Sequence, residues 1–92
     1  MKDREVILQV FSGNLKRCRK RQGLSQEALA FRANLHPTEW SMLERQRRMP
    51  RLDTLIRIAS SLEVSPGEIL QGITWQPGHS TQGTYSIASE DG

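Results

Sequence analysis

The sequence predicts an all-α protein: a compact bundle of about five helices, plus a C-terminal tail that is flexible or forms a small β ribbon. Three observations predict it. Up to residue 70, apolar residues recur at intervals of three and four, the period of a helix with one buried face. Helix-starting and helix-stopping residues cut that pattern into separate segments. After Gly72 the composition turns to Gly, Ser, Thr, Gln and Pro. We therefore divide the 92 residues into a folded domain over 1–71 and a tail over 72–92. A chain of this size buries only about two-thirds of its unfolded surface, so association with a second copy is expected to help it.

Residues 4–22 form the first helix. Ile7, Phe11, Leu15 and Cys18 lay one apolar stripe, flanked by Leu8 and Val10. Lys16, Arg17, Arg19, Lys20 and Arg21 make the rest basic, and Gly23 can take the positive φ that ends a helix. Cys18 is read as a small core hydrophobe. It is the single cysteine, so an internal disulfide is excluded, and no second Cys or neighbouring His offers a metal site.

The second helix runs from Ser25 to Arg32. Ser25 can accept from a free N–H of the first turn, and Gln26 and Glu27 put acceptors near the positive helix end. Leu24, Ala28, Leu29 and Phe31 supply its apolar surface. Ala33-Asn34-Leu35 is a tight turn in which Asn34 tolerates the left-handed region and Leu35 packs inward.

The third helix, 36–45, has His36 at its cap and Pro37 at the first helical position, where no N–H is needed. Trp40 and Leu43 share one face, while Thr38 and Met42 share another. One face can be buried while the other is offered to something outside. Arg45 and the loop Gln46-Arg47-Arg48-Met49-Pro50-Arg51 then form a compact positive cluster.

The fourth helix, 51–62, has a broad apolar face made by Leu52, Leu55, Ile56, Ile58, Ala59 and Leu62, with Asp53 favourably placed in the first turn. Ser65-Pro66-Gly67-Glu68 reads as a capping box that opens a short fifth helix through Leu70. Ile69, Leu70 and Ile73 are expected to leave an apolar end beyond the core. Ile73-Thr74-Trp75 and Thr84-Tyr85-Ser86-Ile87 are β-prone patches around a Gln-Pro-Gly turn. An isolated hairpin is only marginally stable, so a flexible tail is expected, with a ribbon, formed within one chain or across a dimer, as the alternative. His79 is expected to be solvated.

All 13 Lys and Arg and 8 of the 10 Asp and Glu lie in residues 1–72, a net of +5; Glu90 and Asp91 leave the remainder at −2. A basic globule with a faintly acidic tail suits a polyanionic partner. No run of about eighteen apolar residues predicts a membrane span, and the N-terminus has no signal-peptide pattern. A soluble cytoplasmic protein is expected, associated with the nucleoid when bound to DNA.

The stretch from Leu24 to Pro50 resembles the helix-turn-helix of the lambda-repressor-like family, the Cro-type or xenobiotic-response-element-type regulators. The residues that carry the resemblance are Leu-Ser-Gln-Glu-x-Leu-Ala at Leu24–Ala30, Ser-x-Leu-Glu-Arg at Ser41–Arg45, Pro-x-Leu-x-Thr-Leu at Pro50–Leu55 and Leu-Glu-Val-Ser-Pro at Leu62–Pro66. It extends over roughly Leu15 to Leu70. The family usually has Gly where Asn34 and Gln46 stand, although its restriction–modification controller branch also commonly lacks the second.

The resemblance implies a sequence-specific regulator of transcription that binds double-stranded DNA. It is expected to be a repressor and a homodimer, with helix 36–45 in the major groove and the second helix across the backbone. The DNA-binding set it implies is Ser25, Gln26, Pro37, Thr38, Glu39, Ser41, Met42, Arg45, Arg47, Arg48 and Arg51. Backbone amides near Ser25 and the side chain of Gln26 would hold phosphate, and the arginines would neutralise charge. Thr38 can meet a base edge or a thymine methyl, Met42 a thymine methyl, and Glu39 the cytosine N4. Long amides and Arg are missing from the first turn of that helix, so shape and backbone contacts should carry much of the affinity. Arg19 and Glu44 are expected to form a partly buried ion pair, as their equivalents do in the family. Trp40 occupies a position of Ile or Val in relatives and is read as core.

No cofactor, metal or small-molecule effector site is expected. The alternative reading is a helical protein-interaction module, antitoxin-like or a scaffold, that kept the fold and lost base reading. An enzyme has little support: the chain has no Gly-rich phosphate loop, and no nucleophile is paired with a base.

Overall fold

The computed structural model describes residues 3–78 and 83–87. Its elements, in order, are α1 (Asp3–Gln22), α2 (Gln26–Arg32), α3 (Pro37–Glu44), α4 (Leu52–Ser61), α5 (Pro66–Ile69), β1 (Ile73–Gln76) and β2 (Thr84–Ile87). The core gathers Phe11, Leu15 and Cys18 from α1, Leu29 and Ala30 from α2, Trp40 and Leu43 from α3, and Leu55, Ile58 and Ala59 from α4, closed by Leu62 and Ile69. Leu15, Leu29, Ile58 and Leu62 are wholly buried, each stabilising the fold by about 2 kcal/mol relative to exposure. α1 packs on α3 and α5, and α2 packs on α3 and α4.

The four longer helices end in the same way. After α1, α2, α3 and α4, the residues Gly23, Asn34, Gln46 and Glu63 take φ of 68°, 57°, 62° and 57°. In each case the next N–H returns to a carbonyl five residues back: Leu24 to Arg19, Leu35 to Ala30, Arg47 to Met42 and Val64 to Ala59. This six-to-one bond satisfies an orphan carbonyl and reverses the chain. Only the first site is Gly. Gln46 thus adopts a left-handed conformation that favours Gly, at the point where the arginine loop begins.

Several sequence expectations are corrected. On α1, Leu8 rather than Ile7 is fully buried at the N-terminal end of the stripe, and Ile7 is half-buried. Phe31 is 87% exposed rather than part of the packing surface. It follows Leu29 by two positions, about 200° around the helix, so burying Leu29 turns Phe31 outward. The broad apolar face of α4 is divided: Leu55, Ile58 and Ala59 enter the core, while Leu52 and Ile56, one turn apart, stay exposed. Ile69 is wholly buried, so the residual apolar end shrinks to Leu70 and Ile73. At α5 the Ser65 hydroxyl accepts from the Glu68 N–H at 3.3 Å, but Glu68 itself faces Arg21 at 3.8 Å instead of closing a box.

The ribbon replaces the expected flexible tail over the described residues. β1 and β2 pair antiparallel, with Ile73 opposite Ile87 and Trp75 opposite Tyr85. The hairpin is not isolated, which is why the marginal-stability argument fails: it lies against α1. Asn14, buried on α1, donates to the carbonyls of Ile69 (2.9 Å) and Gln71 (3.0 Å), pinning the chain where it leaves α5 for β1. The Trp75 ring packs at 4.8 Å from that of Tyr85 and covers Gly83, where any Cβ would collide with the indole and with the Gln76 carbonyl. His79, Glu90 and Asp91 lie outside the described residues.

Candidate nucleic-acid interface

The site is built on α3. His36 caps it: its Nδ1 accepts from the Thr38 N–H at 3.1 Å, and Glu39 Oε1 accepts from the His36 N–H at 3.3 Å. This reciprocal pair is a capping box with an imidazole in the place usually held by Ser or Thr. Pro37 at the first position needs no acceptor. The periodicity of α3 then buries Trp40, Leu43 and Glu44 and leaves Thr38 exposed and Met42 half-buried.

The buried side is fixed by one carboxylate. Glu44, whose side chain is 3% exposed, receives four N–H groups: Arg19 Nε at 2.6 Å, Arg19 Nη2 at 3.0 Å, Trp40 Nε1 at 2.6 Å and Gln26 Nε2 at 3.1 Å. Arg19 also donates to the Leu24 carbonyl at 3.2 Å. α1, α2 and α3 therefore meet at Glu44. Burial opposes ionisation of this carboxyl, but the hydrogen bonds from Arg19, Trp40 and Gln26 and the charge of Arg19 outweigh it. Glu44 is held below the usual carboxylate range. The hydrogen bond to Glu44 raises Arg19 in turn, against the effect of burial.

The exposed side is open. Thr38, Met42, Arg45 and Arg47 line one shallow cavity of about 390 Å³. Among the described residues, neither Arg45 nor Arg47 has a carboxylate within ion-pair distance. A second cleft, about 420 Å³, lies between α3 and α4 and is lined by Glu39, Arg48, Arg51, Asp53 and Arg57, among others. There the charges are partly paired, Arg48 with Glu39 at 3.6 Å and Arg51 with Asp53 at 3.4 Å.

The "Helix-turn-helix" family model matches residues 15–69. The chain belongs to the lambda-repressor-like helix-turn-helix family. The family is one of DNA-binding transcription regulators rather than enzymes. The chain is 36% identical over 63 residues to a protein of Bacillus subtilis strain 168 described as the uncharacterized HTH-type transcriptional regulator YqaE, a match spanning 68% of this chain and 54% of that one. It is 39% identical over 54 residues to control protein C.BamHI of Bacillus amyloliquefaciens, covering 59% and 67%. The fold matches the restriction–modification controller protein C.AhdI of Aeromonas hydrophila with a TM-score of 0.66 at 34% identity, over 67% of this chain and 94% of that one. It matches the hypothetical transcription factor NHTF of Neisseria with a TM-score of 0.69 at 30% identity, over 76% and 80%.

Within this helix-turn-helix nine of the eleven residues singled out from the sequence as DNA-binding fall into three places. Thr38, Met42, Arg45 and Arg47 converge at the outer face of α3. Glu39, Arg48 and Arg51 converge at the second cleft, with Glu39 already engaged by His36 and Arg48. Ser25 and Gln26 head α2, where the Ser25 hydroxyl accepts from the Ala28 N–H at 3.0 Å and Gln26 turns to Glu44. Pro37 is exposed and Ser41 half-buried on α3. Sequence reasoning missed Arg57, which the cleft joins to Arg48 and Arg51; its signal was a cation beside an apolar row on α4. It also missed the indole N–H of Trp40 as a ligand of Glu44, which the spacing of four between them could have suggested.

Proposed function

We propose that this chain is a sequence-specific double-stranded DNA-binding transcription regulator, acting as a repressor and a homodimer, with α3 inserted in the major groove. The observation that carries the reading is the convergence of Thr38 and Met42 with Arg45 and Arg47, two arginines without an ion-pair partner among the described residues, on the open side of a helix whose other side is locked. Thr38 and Met42 address base edges and thymine methyls, and Arg45 and Arg47 take phosphate. Gln26 at the head of α2 takes phosphate beside them. Arg48, Arg51 and Arg57 extend the positive field along the second cleft. Glu39, held by its cap and by Arg48, shapes this cleft more than it reads bases.

The exposed apolar residues support a homodimer: Leu52 is 73% and Ile56 50% exposed on α4, and Trp75 50% and Ile87 55% exposed on the ribbon. The controller proteins among its relatives support a regulator. In this reading the protein works in the cytoplasm on nucleoid DNA. Among the described residues no helix is long and apolar enough to cross a membrane.

Selection of bound duplexes from a random-sequence pool at moderate salt tests the proposal. Enrichment of an inverted repeat, with half-sites about one helical turn apart, is the expected result. Retention without enrichment would reduce the protein to a reader of backbone and shape. No retention would favour the protein-interaction reading.

A further inference from the structure

We infer that Glu44, locked by the Trp40 indole, is a positioning residue for Gln26: it fixes the Gln26 amide with its nitrogen inward and its oxygen and second N–H turned toward the DNA. The inference rests on the DNA-binding reading and adds to it the device that presents this contact.

The argument starts from donor and acceptor chemistry. An ionised carboxylate only accepts, so a side-chain amide meeting it must turn its nitrogen toward it. Gln26 Nε2 lies 3.1 Å from Glu44 Oε1. One amide hydrogen is thereby consumed. The other hydrogen and the carbonyl oxygen remain, one a donor suited to phosphate and the other an acceptor suited to the exocyclic N–H₂ of adenine or cytosine. A free glutamine would have to lose rotamer freedom and choose an amide orientation at the moment of binding. Here both are settled beforehand.

The carboxylate can act in this way because it cannot itself turn. Arg19 grips both of its oxygens, Nε on Oε2 and Nη2 on Oε1. Trp40 Nε1 holds Oε2 at 2.6 Å from within the core. The indole is wholly buried, so its only polar atom must be satisfied there, and Glu44 satisfies it. The result is a chain of contacts from the core of α3 to the half-buried Gln26 at the head of α2. A structural ion pair alone would need neither Trp40 nor Gln26 on the same carboxylate.

The test is a double-mutant cycle in DNA affinity. Trp40→Phe keeps the Arg19–Glu44 pair and removes the indole donor together with part of the buried ring volume; Glu44→Gln removes the carboxylate charge. Both are checked for folding by thermal melting before affinity is measured. Each is expected to weaken binding by about tenfold, the scale of one charge-assisted hydrogen bond misplaced. In the Gln26→Ala background each loss should shrink to less than about twofold, because the group being positioned is gone. Equal losses with and without Gln26 would overturn the inference while leaving DNA binding intact. If the unaltered chain binds no duplex, the DNA reading itself fails and the inference with it.

A readout on the free protein needs no DNA. The side-chain amide pair of Gln26 in ¹⁵N-labelled protein should shift with pH in step with the Glu44 carboxyl, and should move in Trp40→Phe. A Gln26 amide resonance indifferent to Glu44 would overturn the inference whatever the DNA result. If Glu44→Gln does not fold, Trp40→Phe alone carries both measurements.

Discussion

The two sides of α3 differ in how far their polar groups are satisfied. On the inner side Trp40, Leu43 and Glu44 are buried and Glu44 accepts four N–H groups drawn from three helices. On the outer side Thr38 is exposed, and Arg45 and Arg47 stand without a carboxylate among the described residues. One eight-residue helix thus separates two tasks. Its inner side carries stability, because any polar group stranded there has no water to turn to. Its outer side buries little and is the side to which the proposed function assigns DNA binding.

That separation can be broken from the inside first. Glu44→Ala strands Arg19 and the Trp40 indole and should cost about 3–5 kcal/mol, the range for a buried pair that loses one partner. Chemical denaturation would read it, and a cost under about 1 kcal/mol would mean that the network is ornamental. The outside should behave in the opposite way. Arg45→Ala combined with Arg47→Ala should weaken binding to every duplex and lower the slope of log affinity against log salt by about 2, one unit per phosphate contact. The melting temperature should hardly change. Thr38→Ala with Met42→Ala should remove about 1–3 kcal/mol of discrimination between preferred and random duplexes, again without unfolding the protein. Loss of fold in either outer double variant would show that the two sides are not independent.

Acid sharpens the same contrast. Because the folded-state pKa of Glu44 is lowered, its contribution is complete above the ordinary carboxylate value near 4 and is lost as pH falls through the lowered folded value. Melting followed from about pH 5 downward should therefore show a loss of stability that Glu44→Gln lacks. The smallest effect expected lies at the end of α3. Gln46 holds φ at 62°, a conformation costing a non-glycine residue about 1 kcal/mol, so Gln46→Gly should raise stability by up to that amount. No change would mean that the arginine loop, rather than this residue, sets the turn.

The legible parts of this molecule are those written in short sequence separations. Ser25, Pro37 and Ser65 mark helix starts because a side chain or a missing N–H acts on the next three residues. The split of Trp40 and Leu43 from Thr38 and Met42 is a matter of angle along one helix, readable before any fold is known. The capping box was harder. The sequence offered one at Ser65 and Glu68, and the structure builds it at His36 and Glu39, because Glu68 faces Arg21. A local motif states what is available, and a neighbour from another helix decides whether it is used.

The sequence by itself determined the number, order and ends of the helices, the turn at Asn34 and the gathering of arginines after α3, since all depend on residues a few positions apart. Only the tertiary structure decided which half of the apolar face of α4 would be buried, that Phe31 would point outward and that the tail would settle on α1 as a ribbon. It also decided that the carboxylate expected to pair with Arg19 would collect Gln26 and Trp40 as well. The physical reason is distance along the chain. Gln26 and Glu44 lie 18 residues apart, Arg19 and Glu44 25, and Asn14 and Ile69 55. Such contacts form only once the core has brought their helices together, and no local period announces them.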